Sequence, residues 1–233
     1  MNAYRNHNYF IFRYISLTVS MVALLYGSYK CMANPPSDKP VVIEIVGSTT
    51  SVALQQICKQ NGIPATSIYQ WNNHLVVYDK LDQPERLLGQ IAIKYPGCKL
   101  KLYKAPFYDF ERSRCNNKTV AKQWDNIILT ANLVANPKMQ QEYLNYHAMQ
   151  FEKWPEVSQG FCNARFQQLL VFKNGRQLML IISIPKGESL NKLNPLTSKN
   201  NPRVDEWNKI MAKYQEGIAG TKKGETWVFL KHI

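Results

Sequence analysis

The stretch "RFQQLLVFKNGRQLMLIISIP", Arg165 to Pro185, sets two apolar, β-branched segments on either side of Asn174-Gly175. That dipeptide is the strongest short hairpin signal, because both residues tolerate the positive φ that a tight turn requires. Upstream, "WDNIILTANLV" reads as a strand and "NPKMQQEYLNYHAMQFEKWPEVSQGF" as one long helix. Downstream, "NPRVDEWNKIMAKYQEGI" is a second helix and "ETWVFLKHI" a closing strand. Asn201 can cap that second helix, Pro202 suits its first position, and Asp205 and Glu206 sit near its positive end. The order is β-α-β-β-α-β.

The same order occurs earlier in the chain. "VVIEIVG" is a strand and "SVALQQICKQNGI" has helical spacing with a closing Asn-Gly. "SIYQW", the turn "NN" and "HLVVYDK" form a hairpin; "QPERLLGQIAIKYPG" is a second helix and "CKLKLYKAPFYDF" the last strand. Two split β-α-β units predict an α+β chain of two tandem ferredoxin-like domains, residues 41–115 and 124–233. Each sheet has one face under its helices and needs cover on the other. Two copies in one chain can supply that cover for each other, so the expectation is a monomer with an intramolecular α+β barrel, a pseudo-dimer.

With 233 residues, 45% of them hydrophobic and 19% charged, the chain is ordinary for a globular protein. The formal charge of +13 is the outlier. The basic residues are scattered, and neither zinc-finger spacing, an RNP-like motif nor a basic helix occurs, so nucleic acid is not expected as a partner. Residues 1–33 carry Arg5 and Arg13, no acid, and an apolar run from Tyr14 to Tyr29 ahead of "CMA". This pattern predicts a signal peptide cleaved near Ala33, with an N-terminal membrane anchor as the alternative, and 34–40 as a linker. The chain is therefore expected to be exported, periplasmic or membrane-anchored. Past Ala33, Cys58, Cys98, Cys115 and Cys162 match no metal spacing, so no metal site is expected. Export permits a disulfide, for which Cys98 and Cys115 are nearest in sequence; buried free thiols fit equally.

Tyr143, His147 and Trp154 are spaced by four and seven residues, one face of a continuous helix. A single histidine on such a face is usually structural, and periodicity leaves both readings open.

The second half also resembles a known family, the L-rhamnose mutarotases and relatives acting on 6-deoxy sugars. The likeness covers roughly 126–233 through "NPKMQQEYLNYH", "WPEV", "GRQLMLIISI", "NNPRVDEWNKIMAKYQEGI" and "KKGETWVFLKHI". It implies a small dimeric α+β barrel that interconverts sugar anomers without a cofactor. It implies further that His147 is catalytic and that Tyr143, Trp154 and Trp207 contact the sugar. Glu206 is a candidate contact and second proton-transfer group. Mutarotation needs a base at the anomeric hydroxyl and an acid at the ring oxygen, and histidine, ordinarily near 6.5, suits both roles. The first repeat shares the pattern but not these residues; it is expected to supply the other barrel half and one wall of the pocket. Two readings from other classes stay open: a non-catalytic exported sugar-binding or scaffold protein, and a haem-binding or cofactor-free monooxygenase of similar fold.

Overall fold

The computed structural model describes residues 39–48 and 50–233. The signal peptide or anchor, and all but the last two residues of the linker, lie outside the described residues. Among the described residues no helix is long and apolar enough to cross a membrane.

The first part runs β1 (Val41–Val46), α1 (Ser51–Gln60), β2 (Ile68–Trp71), β3 (His74–Asp79), α2 (Pro84–Lys94) and β4 (Lys99–Tyr103). β5 (Tyr108–Glu111) follows, then β6 (Trp124–Leu133), α3 (Pro137–Ala148), α4 (Gln150–Lys153), α5 (Pro155–Asn163), β7 (Gln168–Asn174) and β8 (Gln177–Pro185). The chain closes with α6 (Leu190–Leu193), α7 (Pro195–Ser198), α8 (Pro202–Ala212), β9 (Gln215–Glu216) and β10 (Val228–His232). Among the described residues all strands join one antiparallel ten-stranded sheet in the order β4-β1-β3-β2-β10-β6-β8-β7-β5, with β9 on β6, curled as a half-barrel. The order β4-β1-β3-β2 recurs as β10-β6-β8-β7, and the two sets meet where Lys231 and His232 pair with Gln70 and Tyr69.

Strand alternation sorts the side chains into layers. Val41, Ile43, Ile45, Leu75 and Val77 meet Leu54, Cys58, Leu87 and Ile91 of α1 and α2 in an aliphatic cluster. Leu129, Leu178 and Ile182 of the later strands meet Tyr143, Val157, Val204 and Trp207 in an aromatic-rich one. A third cluster mixes both sources: Val42, Tyr69, Val76, Tyr78 and Tyr103 with Ile128, Leu170, Phe172, Met179, Ile181 and Leu230.

Several local expectations need correction. The hairpin loop is Gly175-Arg176, one residue later than the Asn-Gly dipeptide: Asn174 still pairs with Gln177, and Gly175 takes the positive φ of 59°. The stretch "CKLKLYKAPFYDF" is two strands, and the second leaves β4 to pair Tyr108–Glu111 with β7. The long helix before β7 breaks into α3, α4 and α5. Trp154 precedes Pro155 and leaves the helical region at φ −136°, ψ 50°. The last long helix stops at Ala212, because Gln215 and Glu216 leave it to pair with Leu133 and Asn132 of β6. Asn201 does not cap with its side chain; its amide donates to the Glu156 carbonyl, at 2.8 Å. The disulfide joins Cys115 to Cys162, and Cys98 is free.

Candidate active site

α3 starts cleanly. Asn136 accepts from the Lys138 and Met139 amides at 2.9 and 3.3 Å, and Pro137 takes the first helical position, where its missing N–H is no loss. Tyr143 and His147 then project inward one turn apart, their rings 4.3 Å apart. His147 is 8% exposed, with Phe107 at 5.6 Å, Tyr108 at 5.2 Å and Trp207 at 5.3 Å between ring centroids. Its Nδ1 lies 3.0 Å from the Tyr143 carbonyl. A carbonyl only accepts, so Nδ1 carries the proton and Nε2 of the neutral ring keeps its lone pair.

Burial sets the charge here. It pushes the His147 pKa down to about 4, against a weaker opposing effect of the Tyr143 carbonyl. The sequence leads one to expect a histidine poised near neutrality; the structure holds a neutral base instead. Burial also raises the Tyr143 phenol, which stays protonated. Its oxygen accepts from Gln215 Nε2 at 3.2 Å, leaving its own O–H to donate, and Gln215 in turn accepts from Trp227 Nε1 at 3.1 Å.

Trp154 reaches the group by a different route from the one its spacing predicts. The helix it was expected to share with His147 is broken, yet the kink brings its ring 5.7 Å from Trp207 and 6.5 Å from Tyr146. The Arg203 guanidinium covers it at 3.7 Å. Gln150 locks the kink: fully buried, it donates to the Trp154 carbonyl at 2.6 Å and accepts from the Tyr108 hydroxyl at 2.6 Å. Tyr143, His147, Trp154 and Trp207 thus fall in one cluster. Glu206 does not join it; its carboxylate is 53% exposed and bound to Arg203 at 2.6 Å.

No motif or spacing singles out Phe107, Tyr108, Tyr146, Gln150 or Gln215. Phe107 and Tyr108 lie at the end of the first repeat, in the aromatic-dense "APFYDF"; that density was the available signal. They matter most, since they bring a wall to His147 from outside residues 124–233. Separately, a cleft of about 1,100 Å³ lies between Tyr69, Tyr78, Trp124 and Arg112, and none of the rings around His147 borders it. Among the described residues no group of acidic, histidine or cysteine side chains is arranged to hold a metal.

A neutral buried base, a phenol one turn away and a surround of aromatic faces have the chemistry that proton transfer on a small, partly apolar molecule requires. The particular likeness follows from comparison: residues 126–233 match the L-rhamnose mutarotase family. The L-fucose mutarotase of Xanthomonas campestris pv. campestris is 27% identical over 77 residues, 33% of this chain. The chain spans 60% of that relative's length. Among solved structures, the heme-degrading enzyme LmHde of Listeria monocytogenes is similar with a TM-score of 0.42 and 14% identity, over 84% of this chain and 100% of that one. That likeness is too distant to inform either fold or function.

Proposed function

We propose that the second half of this chain is a cofactor-free isomerase that interconverts the anomers of L-rhamnose, L-fucose or a similar 6-deoxy hexose. The observation that carries the reading is the neutral His147, set against Tyr143 and Trp207 within the segment matching the mutarotase family. Nε2 of His147 takes the proton from the anomeric hydroxyl while Tyr143 donates a hydrogen bond to the ring oxygen. As the C1–O5 bond breaks the Tyr143 hydroxyl gives its proton to O5; the aldehyde rotates, and as O5 adds to its other face the phenolate takes that proton back while the imidazolium returns its own to O1. Trp207 and Trp154 offer apolar faces to the C–H surface and the 6-methyl group. Phe107 has to swing aside to admit a sugar.

Saturation-transfer NMR on L-rhamnose and L-fucose reads anomer exchange directly. Faster exchange with the wild type that disappears in His147→Ala is the expected result; equal exchange in both sinks the proposal. One feature favours a second reading, a non-catalytic sugar-binding protein: His147 is closed over by Phe107 and Tyr108. Saturation of sugar resonances without faster exchange selects that reading.

The further proposal on architecture is that the two halves pack as an internal pseudo-dimer, an intramolecular α+β barrel, supported by the mixed cluster and the repeated strand order. Sedimentation is expected to give a monomer, and an obligate dimer contradicts it. Export is likewise proposed, with the N-terminal segment either cleaved as a signal peptide or kept as a membrane anchor. The Cys115–Cys162 bond supports it, since disulfides persist in oxidising compartments.

A further inference from the structure

The cleft between Tyr69, Tyr78, Trp124 and Arg112 has features that the chemistry at His147 does not use. Arg112 is only 7% exposed, yet it forms no ion pair among the described residues. Nη1 donates to the Cys162 carbonyl at 2.9 Å, while Nε is buried with no acceptor. Burial lowers its pKa, and so, more weakly, does the neighbouring Arg165. The residue is also held in place: it opens the turn Arg112–Arg114, and Cys115 next to that turn is bonded to Cys162, whose carbonyl receives the guanidinium.

None of the cleft's carboxylates forms an ion pair with Arg112. Asp79 accepts from the Ser67 hydroxyl and the Lys80 amide, both at 2.7 Å; Asp125 accepts from the Gly187 amide at 2.8 Å; Glu111 lies beside Lys39. Lys80 and Lys186 at the rim form no ion pair among the described residues. The cleft therefore holds a buried guanidinium that no carboxylate among the described residues neutralises. Such a group is unfavourable until an anion reaches it, and its planar fork matches a carboxylate or a phosphate. Beside it Trp124, 38% exposed and fixed by its indole N–H on the Ala121 carbonyl at 3.0 Å, offers a flat face, and Gln168 an amide.

We propose that this cleft binds an anionic carbohydrate, its carboxylate or phosphate paired with Arg112 and its ring set against Trp124. The proposal is independent of the mutarotase reading.

Titration calorimetry on the full chain tests it with D-glucuronate, D-glucose 6-phosphate, inorganic phosphate and D-glucose. At least one of the two anionic sugars is expected to bind about tenfold or more tightly than glucose. Comparing the two sugars separates a carboxylate site from a phosphate site, and phosphate binding more weakly than the preferred sugar confirms that the ring contributes. Arg112→Met keeps the length and removes the charge. It is expected to abolish the preference while the thermal midpoint holds or rises, because an uncompensated buried charge is gone. Lys186→Gln at the rim is expected to weaken binding about two- to fivefold. The proposal is overturned if no probe binds, if glucose binds as tightly as both anionic sugars, or if Arg112→Met binds unchanged. Should Arg112→Met fail to fold, unchanged affinity in both Lys186→Gln and Trp124→Ala overturns it equally.

Discussion

α1 and α3 occupy the same position in the two halves, each following the first strand of its repeat, and each buries two side chains one turn apart. In α1 these are Leu54 and Cys58; in α3 they are Tyr143 and His147. The same physical cause acts on both titratable members. Burial pushes the Cys58 thiol up to about 12 and the His147 imidazole down to about 4, so each is held neutral. The consequences are opposite. A neutral thiol is inert, whereas a neutral imidazole is a base with a free lone pair. The first half places its own buried histidine on the other face of its sheet. There His74 Nδ1 donates to the fully buried Glu44 at 2.7 Å. That carboxylate also accepts from Lys101 at 3.1 Å, Tyr103 at 2.9 Å and Gln177 at 2.8 Å, and Lys101 donates to Gln177 as well. One half therefore isolates its histidine among rings, and the other ties it into a network that crosses to the second half through Gln177.

The largest effect is expected where the comparison is sharpest. His147→Ala should slow anomer exchange by about 10²–10⁴-fold, while Cys58→Ala at the matching position leaves it unchanged. Equal losses in the two variants would mean that α3 acts through packing alone. Next comes Glu44→Gln, which leaves Lys101 without its buried counter-charge. A loss of about 3–5 kcal/mol in urea denaturation is expected, with anomer exchange retained in the folded fraction. A loss below about 1 kcal/mol would show that water already compensates the network.

The repeated element order was legible in the sequence because strand alternation and turn residues are local signals. The pairing of Tyr143 with His147 was legible for the same reason: four residues on an unbroken helix share a face. Trp154 was legible as a member of the cluster but not by the path it takes, since Pro155 breaks the helix whose spacing the reading used. Contacts between distant segments left no periodic trace. Phe107 and Tyr108 reach His147 because β5 crosses to pair with β7, and no alternation pattern says which strand another will pair with. The disulfide failed similarly: proximity in sequence favoured Cys98, whereas the Arg112–Arg114 turn and the end of α5 bring Cys115 and Cys162 to 5.6 Å between Cα atoms. The Glu44 network was invisible for a simpler reason, that its members come from β1, β3, β4 and β8.

The two buried groups also divide the acid response. An unfolded chain protonates its histidine near the ordinary 6.5, while the folded chain resists until about 4, so between these values the unfolded state binds more protons. Stability from His147 is thus complete above 6.5 and falls as pH drops toward 4, by at most about 1.4 kcal/mol per pH unit. For Glu44, burial pushes the carboxyl up, but the His74 hydrogen bond and the Lys101 charge outweigh it and hold it at about 2 rather than 4.5. Its contribution is complete above 4.5 and falls as pH drops toward 2. Urea midpoints measured across pH should show two adjacent slopes. His147→Gln flattens the upper one and Glu44→Gln the lower; if either variant flattens both, the two groups are not independent. The acid limb of the exchange rate should likewise fall near pH 4, and a limb near 6.5 would mean that the imidazole is solvated in the working state.

The smallest effect concerns Glu206. The resemblance and its neighbour Trp207 made it a candidate for the second proton, yet its carboxylate is 53% exposed and bound to Arg203. Exposed pairs of this kind contribute about 0.2–1 kcal/mol, so Glu206→Ala should barely move stability and should alter exchange less than about twofold. The indirect route is the informative one. Arg203 also lies 3.7 Å over the Trp154 ring, so freeing it from Glu206 loosens the cover of that ring without touching His147. A rise in the sugar's KM with kcat unchanged would assign Glu206 to holding Trp154 through Arg203. A fall in kcat as deep as that of Tyr143→Phe would make Glu206 the proton donor instead, and would require α8 to turn its first residues toward the sugar when one binds.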